Sequence, residues 1–254
     1  MVQNVLRLVL LHKTSNTLNS IMRLEELTEP ANRKEIEAAL DPFINFINSG
    51  DPKTRKDIAK MLQNTLEQFG VAEVGIQTSK NVEPGDMNMN AAYDPVDDEE
   101  GLEPFYLELI FSKQDKTIAF SPEGVENIKN RIVDALEHEI IHMQQYRSRN
   151  FVRQRDYKTK AKEPDLVRAK KYLGNDDEIE AFAKNISTEL DRAVGKEKAI
   201  DMLRNVSSSA GLKDELGYLL SPNLLGYMAM WGFDTKHPVI KKLLKKVYSY
   251  LQNA

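Results

Sequence analysis

The chain has 254 residues, with 35 Lys and Arg against 39 Asp and Glu and no cysteine. That length supports a core able to fold without covalent staples, and the missing thiols exclude disulfides, thiolate metal sites and a cysteine nucleophile. A net charge of −4 argues against a surface built throughout for nucleic acid, and no apolar run approaches the roughly 20 residues that span a bilayer.

The opening run Met1–Leu11 is apolar but short and carries Arg7 within it. It reads as the first turns of an amphipathic helix rather than a cleaved leader, which makes a cytoplasmic location the expectation. Residues 1–70 read as a helical N-terminal region, divided at Pro30 and at Asp41-Pro42. Asp51-Pro52 predicts a helix start, an acidic cap followed by proline. Ile58, Met61, Leu62, Leu66 and Phe69 then recur at helical spacing, and Gly70 closes the segment.

Beyond Gly70 the texture turns to short strands. Val71–Thr78 is rich in β-formers, and Met87–Tyr93 alternates weakly. Phe105–Phe111 is the strongest strand pattern in the chain. Lys116–Phe120 is a second short strand, and the two predict a hairpin across Ser112–Asp115. The acidic run Asp94–Gly101 before them reads as a solvated loop, because its acids lack the ligand spacing of a calcium loop.

Ser121-Pro122 predicts the start of a long helix. Val125, Ile128, Ile132, Leu136, Ile140 and Met143 form one apolar stripe along it, away from which His138 and His142 fall. Residues 138–142 read His-Glu-Ile-Ile-His, an H-E-x-x-H motif that uses two of the four histidines. Two imidazoles at i and i+4 stack on one face and can reach one ion. Zinc accepts neutral imidazole and keeps an open position for chemistry. Glu139 follows the first ligand directly and is the candidate general base, then acid.

A third ligand is required. Asp176–Ala183 opens another helix with an acidic first turn and an apolar stripe of Ile179, Phe182, Ala183, Ile186 and Leu190. Glu180 is spaced to pair with Lys184 at i+4. Glu178, with Phe182 and Asn185 above it, has the more enclosed setting. Glu178 is therefore the expected ligand and Glu180 the alternative.

With these residues in hand, the chain resembles the gluzincin branch of zinc metallopeptidases. H-E-I-I-H on a helix, preceded by strands and followed by E-I-E-A, carries the likeness over roughly residues 105–192. His-Met-Gln-Gln after the motif and E-I-E-A-F-A downstream are most similar to small metallopeptidases encoded by tailed bacteriophages. The resemblance implies a zincin-like α+β fold: a small, mostly antiparallel sheet packed on the metal-binding helix, with a helical C-terminal half. With the change of texture after Gly70, the expected domains are residues 1–70, the helical N-terminal region, and 71–254, the zincin-like domain. The resemblance implies Zn2+ held by His138, His142 and Glu178, and a protein or peptide substrate. It also implies that a sheet edge, here Phe105–Phe111, takes substrate as an added strand. A Tyr, His or Arg supporting the oxyanion is implied as well, with Tyr172, Tyr218, Tyr227 and His237 unranked. One position departs. Where several gluzincins place an Asp four residues after the ligand, this chain has Phe182, so the bond orienting a histidine must come from elsewhere.

Two further features qualify this picture. Between the two motif helices, Arg147–Lys171 holds ten basic and three acidic residues, a net of +7 that leaves −11 on the rest of the chain. It reads as a solvated segment, or as a surface for an anionic partner. Pro238–Tyr248 alternates apolar and basic pairs, which predicts an amphipathic helix packed on the domain with lysines outward; Ser221-Pro222 starts the helix before it. The expected function is zinc-dependent peptide hydrolysis with no membrane role, in the host cytoplasm or virion if phage-encoded. The rival is a non-catalytic zincin-fold structural or assembly protein of a phage particle, and a nucleic-acid-binding module ranks behind both.

Overall fold

A computed structural model describes residues 33–152, 163–205 and 221–253. The expected helix at residues 1–11, Pro30, Tyr218 and the middle of the basic stretch lie outside the described residues. The chain divides after Val152 into two compact units. The fold is α+β and mostly helical, with ten α-helices and two small sheets among the described residues. Among the described residues no helix is long and apolar enough to cross a membrane.

The first unit opens with two short helices, α1 (Arg33–Ala39) and α2 (Asp41–Ile47), separated where Pro42 enters the first turn of the second. The next helix, α3, runs Arg55–Leu66, three residues later than Asp51-Pro52 predicts. Lys53–Thr54 forms instead a short strand, β1, and extended Thr54 caps the helix, its Oγ1 accepting the N–H of Asp57 at 3.1 Å. After a 3-10 turn, Gly70 ends the segment at φ +78. A Cβ there would meet Pro104 Cδ at 3.3 Å in a backbone conformation that side chains disfavour.

Three strands follow, β2 (Val71–Ser79), β3 (Met87–Tyr93) and β4 (Phe105–Ser112), with β4 in the centre. Strand β4 runs parallel to β2 and antiparallel to β3. Two sequence expectations are corrected here. Phe105–Phe111 is not a sheet edge; it is bonded on both sides, and the edges are β2 and β3. Nor does it form a hairpin with the next strand. Strand β5 (Thr117–Ile118) pairs with β1. Both edges of β4 are already taken by β2 and β3, which leaves none for a returning strand, and the Arg55 guanidinium donates to the carbonyls of Ser112 (3.0 Å) and Asp115 beyond it. The inward residues Phe105, Leu107, Leu109 and Phe111 share one core with α1, α2 and α3.

The acidic run is also corrected. Pro95–Glu99 forms a short helix, α4, capped by Asp94, whose carboxylate accepts the N–H of Val96 at 2.8 Å. Within it Asp98 is buried rather than solvated. The long helix α5 (Pro122–Ser148) starts as its sequence predicts, with Ser121 Oγ accepting the N–H of Gly124 at 3.1 Å. Its whole predicted stripe is buried, and it packs against β3. The chain leaves α5 through Asn150 and Phe151, both at positive φ, with the Phe151 N–H bonded to the Tyr146 carbonyl at 2.9 Å.

The second unit is helical: α6 (Asp165–Leu173), α7 (Asp176–Val194), α8 (Lys196–Asn205), α9 (Pro222–Met230) and α10 (Pro238–Asn253). Ile179, Ala183, Ile186 and Leu190 of α7 form its core with Ile240, Leu243, Val247 and Leu251 of α10, the i, i+3, i+4 pattern expected of two amphipathic faces. Lys241, Lys242 and Lys245 are exposed, as the sequence predicts. Ser221 caps α9 by accepting the N–H of Leu224 at 3.1 Å and donates its own hydrogen to Glu189 at 2.5 Å.

Candidate metal centre

His138 and His142 lie in the C-terminal half of α5, where 3.6 residues per turn sets them one above the other. Their rings meet edge to face with centroids 4.8 Å apart, and their Nε2 atoms are 3.1 Å apart. Both are buried, at 7% and 9% exposure, and Glu139 between them is at 8%. A surface helix with two solvated histidines is thereby excluded. On its other side His142 meets Gln145, its Nδ1 lying 2.9 Å from Oε1. The preceding acid, Glu137, is engaged elsewhere, accepting from Arg33 at 2.7 Å.

In the second unit, the Asn175 side chain caps α7 by accepting the N–H of Asp177 at 2.9 Å, and this places Glu178 in the first turn. Glu178 is buried at 9% exposure. Burial raises the pKa of Tyr227 above its ordinary value, and the negative charge of Glu178 raises it further. Glu180 has a different fate. It accepts the Tyr250 hydroxyl and pairs with Lys246, both on α10. The expected partner, Lys184, lies instead over the Tyr250 ring at 5.9 Å. The reason is packing: α10 lies along α7 and offers Glu180 closer donors than its own helix does.

Among the described residues, one group of three His, Asp or Glu side chains is placed to share an ion. It consists of His138, His142 and Glu178, with one ligand atom of each within 4.8 Å of the others. These are the three ligands expected from the sequence. The donor set, two imidazoles and a carboxylate, is one that zinc accepts.

The remaining sequence candidates separate. Tyr227 is buried, and its hydroxyl donates to the Leu173 carbonyl at 3.1 Å. His237 accepts the N–H of Val239 through Nδ1 at 3.3 Å, and its ring lies 5.5 Å from that of Trp231. Both are structural engagements. Tyr172 lies in the last turn of α6.

Several residues of the basic stretch, read as solvated or as a surface for an anionic partner, are paired with acids. Arg147 is bound to Asp98, Arg168 to Asp165 and Lys171 to Glu163. Sequence reasoning missed Gln145 and Asp98. Gln145 was within reach of the spacing rule, since it sits three residues beyond His142. Asp98 was not, because its partner lies 49 residues away.

No family model, no curated protein and no solved structure matches the chain.

Proposed function

We propose that this chain is a zinc-dependent metallopeptidase of the gluzincin type. The grouping of His138, His142 and Glu178 carries the reading. A tetrahedral ion with metal–nitrogen bonds of about 2.0–2.1 Å holds its nitrogens about 3.3 Å apart, and the two Nε2 atoms lie at 3.1 Å. The resemblance of H-E-I-I-H and E-I-E-A to the gluzincins supports the same reading, as does the likeness to small phage enzymes.

Zinc, which His138, His142 and Glu178 would hold, would supply Lewis acidity toward a peptide carbonyl and toward water. The protein supplies the rest. Glu139 takes the proton of the attacking water and delivers it to the departing amine, a role that suits a carboxylate fixed beside the ligand pair. His138 and His142 are held in register by the helix, so the approach geometry is set before substrate arrives. The buried setting strengthens each charge interaction relative to bulk water.

The test is metal analysis of the purified chain beside a proteolysis screen of wild type and Glu139→Gln. The expected result is about one zinc per chain in both forms, with cleavage by wild type alone. Equal cleavage by both forms would overturn the mechanism. Zinc in both with cleavage by neither would favour a zinc-bearing structural or assembly protein.

A further inference from the structure

We infer that Gln145 is the residue that orients His142 as a metal ligand. This rests on the reading of His138, His142 and Glu178 as a metal centre. An imidazole can present either nitrogen to an ion, and a hydrogen bond at the other nitrogen decides which. Here the Gln145 carbonyl oxygen lies 2.9 Å from His142 Nδ1. That oxygen only accepts, so Nδ1 carries the hydrogen and the lone pair stays on Nε2. Nε2 is the atom that faces His138 Nε2 at 3.1 Å. One amide thus sets both the tautomer and the ring rotation.

The placement follows from the helix. Residues three apart share a face, so Gln145 reaches the His142 ring, whereas Gln144 is exposed on another face. The position where several gluzincins offer an orienting carboxylate is filled here by Phe182, whose ring packs edge to face on Tyr227 at 5.3 Å. A neutral amide also differs from a carboxylate in kind. It fixes the ring without adding negative charge, so it makes His142 a less basic ligand than a carboxylate partner would. Glutamate at this position therefore tightens metal binding, and a side chain of the same length without an acceptor weakens it.

The experiment titrates Co2+ into the full-length chain and follows its visible absorption bands, for wild type, Gln145→Met and Gln145→Glu. Circular dichroism and thermal melting of the metal-free forms report folding. Gln145→Met is expected to fold as wild type and bind Co2+ about 10–100-fold more weakly, with altered bands. Gln145→Glu is expected to match or exceed wild type. Equal affinity and identical bands for wild type and Gln145→Met would overturn the inference while leaving the metal centre intact. A wild-type chain that binds no Co2+ or Zn2+ would overturn the centre, and the inference with it. Should Gln145→Met fail to fold, nitrogen-15 NMR of the zinc-loaded wild type decides: a proton on His142 Nδ1 supports the inference, and a proton on Nε2 ends it.

Discussion

Arg147 grips Asp98 with two nitrogens at once, Nε to Oδ2 at 2.9 Å and Nη2 to Oδ1 at 2.6 Å. Tyr93 adds its hydroxyl to Oδ2 at 2.8 Å. The carboxylate side chain is 1% exposed, so the acid survives in the core only because three donors saturate it. The contact ties α4 and β3 to the last turn of the helix that carries His138 and His142.

Removing the cation strands that charge. Arg147→Met is expected to destabilise the first unit by about 3 kcal/mol, the scale for a buried pair broken on one side. The double variant Asp98→Leu/Arg147→Met is expected to recover part of the loss, because no uncompensated charge remains. Urea denaturation of the three forms checks this. A single variant as stable as wild type would contradict the buried-pair account.

Alkaline pH acts on a set of tyrosines. Burial raises the pKa of Tyr93, with the hydrogen bond to Asp98 adding to it. Burial likewise raises Tyr106, which donates to Asp97, and Tyr227. A phenol whose folded pKa lies above its unfolded value of about 10 keeps its proton longer in the native state. Its contribution to stability is therefore full below pH about 10 and is lost as pH rises beyond that. Absorbance at 295 nm is expected to show part of the nine tyrosines ionising only together with unfolding. Nine phenols titrating reversibly near pH 10 in the folded chain would refute this.

The two acids of E-I-E-A are expected to part company. Glu178→Gln should lower metal affinity, read as zinc retained after dialysis against a weak chelator. Glu180→Gln should retain zinc like wild type and lose at most about 1 kcal/mol, since its partners Lys246 and Tyr250 lie in a half-exposed setting. The reverse ranking would move the third ligand to Glu180.

Tyr227 is expected to act on stability alone. Tyr227→Phe leaves the Leu173 carbonyl without its donor, a loss of about 1–2 kcal/mol. Thermal melting measures the loss, and turnover per folded molecule should be unchanged. A large fall in turnover at unchanged stability would return Tyr227 to the reaction as an oxyanion donor.

Much of this protein was legible along the chain. Ser121-Pro122 and Ser221-Pro222 mark their helices because a cap and a proline act within one turn. The stripe from Val125 to Met143 and the pairing of His138 with His142 follow from helical periodicity alone. Glu178 stood out from Glu180 by its enclosed setting, although the partners of Glu180 were misjudged.

What the tertiary structure decided was of another kind. The sequence does not say that β4 lies between β2 and β3, because the apolar pattern of a strand names no partner. It shows Asp94–Gly101 as an acidic run, yet one of those acids lies in the core because Arg147 reaches it from 49 residues away. Periodicity is a property of neighbours on one chain. The partner of a strand edge or a buried charge is chosen by whatever folding brings beside it.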